Sequence, residues 1–276
     1  MGPRVFGIPA SRAPVVAVIR RGPSSWMHLG RWDVATPAYE PGAWLRGTIY
    51  PQRCDLSPDG RWFAYFAMKQ AADWDLGATY IAISRLPWLT ALAAWGIGST
   101  WTRGMQFVED ASVRDVDEPD AGDLGTLYER YGLRMTPADS FAVERRRGWS
   151  ETAGTPPRDP GDAWDEARGE RIVMERRRPG SDGSERLKVR GTYAAIRELH
   201  GVRTQIRYEV VRGDDATVLD GVQWADWDPG GRLLAVTNDG RLQIRERIEE
   251  DSTVWEADEG PNEPDPTPPP PEASNW

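Results

Sequence analysis

Cysteine is almost missing from this chain of 276 residues. Cys54 stands alone, which excludes an intrachain disulfide framework and a zinc cluster built on cysteines. Histidine is nearly as scarce: His28 and His200 are the two, leaving little room for a histidine-ligated catalytic metal. Lysine also numbers two, Lys69 and Lys188. Neither follows a Gly-rich run or precedes Ser or Thr, so the phosphate-binding loop is absent. So is the Gly-x-Ser-x-Gly elbow of serine hydrolases. Apolar runs are short. Val15 to Ile19 is too brief for a signal-peptide core, and the apolar part of Leu86 to Met105 falls short of the roughly 20 residues of a membrane span. These absences predict a cytoplasmic protein with no cofactor and no membrane partner.

What the chain has is arginine, tryptophan and an acidic end. Its basic residues are 32 Arg beside the 2 Lys, and Trp occurs 14 times, eight of them between Trp26 and Trp101. Trp buries a large area at little rotamer cost, so it can fix a core that is poor in aliphatic residues. Its faces can also stack on sugars or bases. The net charge of −9 comes from the C-terminal end, where residues 248–276 hold nine acids and no base. The remaining body is neutral, which argues against a nucleic-acid binder working by phosphate neutralisation. Pro264, Pro266 and the run Pro268 to Pro271 follow, with few apolar residues after Trp255. Residues 257–276 are therefore expected to form a disordered, partly polyproline tail after a structured domain over 1–256.

Strand signals dominate that domain. Val15–Arg20, Arg61–Ala67, Tyr80–Ser84, Phe141–Arg145, Ile172–Glu175, Thr204–Val211, Arg232–Thr237 and Arg241–Arg245 are β-branched, aromatic or alternating. Asn238-Asp239-Gly240 and Gly180-Ser181-Asp182-Gly183 supply tight-turn chemistry between consecutive strands. Helical signals are limited to Asp123–Gly132, with its i, i+3, i+4, i+7 apolar spacing, and a short turn at Asp162–Arg168. Both fall in expected insertions, near 109–132 and 152–170.

One turn occurs twice. Asp55, Ser57, Pro58, Asp59, Gly60 and Arg61 correspond to Asp226, Asp228, Pro229, Gly230, Gly231 and Arg232, each followed by an apolar strand. Proline presets the first corner and glycine accepts a left-handed second one. This motif resembles the SPDG hairpin of β-propeller blades, in the WD40-like and TolB-type repeats. The resemblance covers about 25 residues in each copy, extended by Asn238–Arg245, and lacks the Gly-His and Trp-Asp pairs of WD40 repeats at their usual places. Ser57 and Asp228 are 171 residues apart, or four periods of about 43, a blade's usual length. The resemblance implies an all-β propeller of about five to six four-stranded blades, with short helical insertions and Val15–Arg20 pairing into the last blade to close the ring. A β-sandwich is the alternative.

A second echo joins Phe141–Gly148 to Ile172–Pro179, both ending in three arginines. Arg145, Arg147, Arg176 and Arg178 are candidate anion-binding residues; pairing with nearby acids or stacking on Trp is the plainer reading. Asp33, Asp55, Asp73, Asp75 and Asp226 are the acids that could serve glycoside hydrolysis against Trp walls. Asp55 and Asp226, however, hold equivalent places before the repeated turn, which points to hydrogen bonding of the turn backbone. His28 reads as a core histidine on a strand and His200 as a surface or capping residue. With no catalytic constellation visible, the expected function is a non-catalytic scaffold that binds another protein. A carbohydrate-binding or glycoside-hydrolysing propeller is the alternative.

Overall fold

Val15–Ile19, Trp62–Ala67 and Leu233–Val236 are apolar at every position. A strand with one face in water would alternate; an unbroken run fits a strand buried on both faces. The computed structural model, which describes residues 3–22, 25–69, 76–100, 102, 104–108, 135–137, 141–153, 171–192, 206–248, 252–258, 264–265 and 268–274, places each run between two hydrophobic cores.

Among the described residues all pairings are antiparallel, and all but one join strands consecutive in the chain. The first sheet is β1 (Arg4–Pro9), β2 (Val15–Arg21), β3 (Trp26–Asp33) and β4 (Ala38–Arg46). In the second, β5 (Thr48–Ile49) and β6 (Asp55–Leu56) both pair with β7 (Trp62–Met68), followed by β8 (Thr79–Arg85) and β9 (Ala93–Gly96). A small third sheet joins β10 (Met105–Phe107) and β11 (Met135–Pro137). The fourth holds β12 (Trp149–Ala153), β13 (Arg171–Arg177), β14 (Glu185–Thr192), β15 (Arg207–Arg212) and β16 (Asp215–Val218). The fifth is β17 (Val222–Trp227), β18 (Leu233–Thr237), β19 (Arg241–Arg245) and β20 (Thr253–Asp258). No sheet among the described residues closes on itself.

Side-chain alternation decides how these sheets stack. On β2, Val15, Ala17 and Ile19 enter a core shared with Leu56, Phe63 and Tyr65 of the second sheet. Val16 and Val18 enter another, with Trp224, Leu234 and Val236 of the fifth. On β7 the odd-numbered residues face the first sheet, while Trp62, Ala64 and Phe66 face Met105, Phe107 and Met135. On β18, Leu233 and Ala235 meet Met174, Leu187 and Val189 of the fourth sheet. The sheets thus follow one another face to face, and β1 contacts both β17 and β6. Three of them are covered on both sides, so the two-layer sandwich alternative fails. The architecture is all-β.

Two local expectations are corrected. Phe141–Arg145 is not a strand: Ala142–Arg146 is a short helix, entered from a left-handed Phe141 at φ 58° and stopped by Gly148 at φ 89°. Ala, Glu and Arg favour helix, and a left-handed glycine is the usual helix stop. Nor does Val15–Arg21 complete the last sheet; it pairs with β1 and β3, and the first and fifth sheets meet through side chains. The predicted helices at 123–132 and 162–168 lie outside the described residues. In the expected tail, β20 runs on to Asp258, and Pro271–Ser274 makes a 3-10 turn that contacts β8 and buries Ala273 completely. No helix among the described residues is long and apolar enough to cross a membrane.

Candidate functional site

Both copies of the repeated turn are built alike. Ser57 Oγ accepts the backbone N–H of Trp62 at 2.9 Å and donates to Asp59 Oδ1 at 2.6 Å. In the other copy Asp228 Oδ1 accepts the N–H of Arg232 at 2.7 Å, and its Oδ2 takes the Arg232 Nε–H at 2.8 Å. Pro58 and Pro229 occupy the first corners, followed by Asp59 and Gly230. Gly60 and Gly231 have φ of 73° and 82°, the left-handed corner that motivates glycine there. The hairpins close in registers that differ by one residue, Ser57 pairing with Trp62 and Asp228 with Arg232.

The acids two residues before these turns are the centre of the site. Asp55 and Asp226 are both buried, at the ends of β6 and β17. Asp55 Oδ1 accepts the N–H of Leu56 at 2.8 Å and a bond from Arg146, while Oδ2 accepts the N–H of Phe107 at 2.7 Å. Asp226 repeats the pattern. Its Oδ1 takes the N–H of Trp227 at 2.9 Å and a bond from Arg176, and its Oδ2 takes the Trp149 indole N–H at 3.4 Å. Burial pushes the Asp55 carboxyl above its ordinary range, and the Arg146 guanidinium pulls it back toward the ionised form. Tyr208 is pushed up by burial and by the Asp226 charge beside it.

The short helix explains how neighbouring arginines reach different partners. Successive helical residues point about 100° apart. Arg145 leaves toward Glu151 at 2.8 Å on the surface, Arg146 toward Asp55 and the Phe107 carbonyl, and Arg147 toward Asp226. Arg147 Nε is 3.7 Å from Asp226, too far for a hydrogen bond, and has no other hydrogen-bond partner although its side chain is only 5% exposed. It borders three cavities, of about 40, 130 and 460 Å³.

The sequence candidates therefore part company. Arg176 and Arg178 tie the fourth sheet to the fifth. Arg176 also bonds the Trp227 carbonyl at 3.0 Å. Arg178 joins Glu185 at 2.6 Å and the Gly231 carbonyl at 2.7 Å, and its guanidinium lies 5.4 Å from the Trp227 ring centre. Arg146, Arg177 and Arg186 were not singled out by sequence; reading 141–145 as a strand turned Arg146 away from Arg145 and Arg147. Asp33 caps a local turn, accepting the N–H groups of Ala35 and Thr36 at 3.0 Å each. Asp73, Asp75 and His200 lie outside the described residues. No cluster of three metal-ligating side chains occurs among the described residues. Ten of the Trp residues are described, and every one is buried or half-buried.

Chemically, each central carboxylate already accepts three hydrogen bonds, close to the four lone-pair sites it offers. That suits a bolt between sheets better than a general base.

No family model and no curated protein matches the chain. Among solved structures it aligns with uncharacterized protein lmo1340 from Listeria monocytogenes EGD-e at 8% identity and a TM-score of 0.26. The alignment covers 91% of this chain and 52% of the other, so the chain spans about half the length of that protein.

Proposed function

We propose that the chain is a propeller-like, non-catalytic binding scaffold whose partner is another protein. The observation that carries this reading is the saturation of Asp55 and Asp226. The most enclosed acids in equivalent positions hold backbone N–H groups and arginines, and so serve cohesion. The propeller reading draws support from the meander order of the first, fourth and fifth sheets and from the contacts of β1 with β17 and β6 and of β10 with β6. First strands then line a common axis, and the β10–β11 pair counts as part of one blade among five. The carbohydrate alternative depends on exposed Trp faces, which the ten described residues do not offer.

The test is recovery of a partner by cross-linking in the native host, followed by reconstitution from purified components. The expected outcome is a saturable complex with defined stoichiometry. Failure of every recovered protein to re-bind the purified chain, or turnover of a glycoside by the chain alone, overturns the proposal.

A further inference from the structure

We infer that the cavity walled by β12, β13 and β14 is a binding site for a phosphoryl dianion, free or carried as a monoester. The cavity measures about 460 Å³, within the range of small-ligand sites. Four arginines border it, Arg147, Arg176, Arg177 and Arg186, with Glu175; strand alternation puts Arg177, Arg186 and Glu175 on one face, while the Arg176 guanidinium turns to Asp226. The Glu175 carboxylate is already neutralised, by Lys188 Nζ at 2.7 Å and by Arg186 at 3.6 Å.

Two features are unfavourable without a ligand. Arg177 and Arg186 are register partners on β13 and β14, and like charges directly opposite repel. Arg177 is exposed and makes no ion pair among the described residues. Arg147 is buried with its Nε unbonded, and Asp226 is shared with Arg176. An anion with several oxygens removes the first defect directly, sitting between the opposed guanidinium groups and accepting their fork-shaped N–H pairs, and its charge offsets the Arg147 cation that borders the same cavity. A dianion suits this surplus better than a monocarboxylate does.

The inference goes beyond the scaffold reading. A phosphate site without any protein partner leaves it whole, and a partner bound without regard to phosphate does not rescue it. The experiment is calorimetric titration of the full chain, at fixed ionic strength, with inorganic phosphate, O-phosphoserine and acetate. Wild type is compared with Arg177→Gln and Arg186→Gln, whose folding is checked by circular dichroism. The expected result is saturable one-site binding of a phosphoryl compound but not acetate, weakened about tenfold or more by either substitution. Binding of both phosphoryl probes identifies a site for the free ion; binding of phosphoserine alone identifies one for a carried phosphate. No saturable binding of either up to about 10 mM, equal binding of acetate, or undiminished binding by a folded variant overturns the inference.

Discussion

Lowering the pH from 7.5 to 5 should destabilise the protein through His28. The imidazole is fully buried on β3, between its cross-strand partners Arg20 on β2 and Trp44 on β4. The Trp44 ring centre is 4.7 Å away, and neither imidazole nitrogen makes a hydrogen bond of ordinary geometry. Burial, and then the Arg20 charge, lower its pKa from 6.5 to about 4, with the Gly42 backbone pulling weakly the other way. The unfolded chain therefore binds a proton that the folded chain refuses between these values. Stability is fully present above about pH 6.5 and lost as pH falls toward 4. Linkage puts the loss at about 2 kcal/mol between pH 7.5 and 5, a range in which few carboxylates titrate. Urea unfolding at half-unit pH steps measures it. His28→Phe, which keeps a ring against Trp44 and cannot be protonated, should flatten the slope over that window. An unchanged slope in folded His28→Phe would refute the argument.

Other perturbations read different parts of the structure. Asp226→Asn leaves Arg176 and Arg147 facing a neutral amide in a buried place; urea unfolding should show a loss of about 3–5 kcal/mol, and a loss below about 1 kcal/mol would mean that the centre is not cohesive. Gly60→Ala puts a Cβ 2.9 Å from Val15 Cβ at a φ of 73°, whereas Gly213→Ala, at φ 58°, meets nothing within 4 Å. Both should lower the melting temperature, the Gly213 variant to the extent set by a backbone cost of about 1–2 kcal/mol and the Gly60 variant by clearly more. Cys54 is buried and its thiol is pushed up by burial, so a thiol reagent at pH 8 should label it only at the rate of unfolding. Fast labelling of the folded protein would place it near the surface.

The strands were legible because burial on both faces writes itself into sequence as unbroken apolar runs. Val15–Ile19, Trp62–Ala67 and Leu233–Val236 each mark a sheet with neighbours on both sides. The repeated turn was legible because proline and glycine act locally. The helix Ala142–Arg146 was missed for the opposite reason: its five residues echo Val173–Arg177, which do form a strand, and left-handed Phe141 and Gly148 bound the helix on either side. Of β3 and β4 only the surroundings of His28 read as strand; Gly30 interrupts the rest of β3, and Pro41 and Gly42 hide β4. The partners of Asp55 and Asp226 lie 91 and 50 residues away in sequence, a distance no local pattern spans.

That long-range pairing links cohesion to the basic cavity. Three arginines, Arg146, Arg147 and Arg176, converge on two carboxylates. Asp55 and Asp226 each have one close guanidinium, so Arg147 is the surplus charge, held near Asp226 without a hydrogen bond. A buried, unbalanced cation costs stability, and an apolar side chain of similar length would pack there at lower cost. The surplus does have an outlet, because Arg147 also lines the cavity that Arg177 and Arg186 make positive. An anion bound there would be coupled through Arg147 to the Asp226 junction between the fourth and fifth sheets. Its binding energy would then appear as added stability of that junction, since whatever binds only the folded form stabilises it.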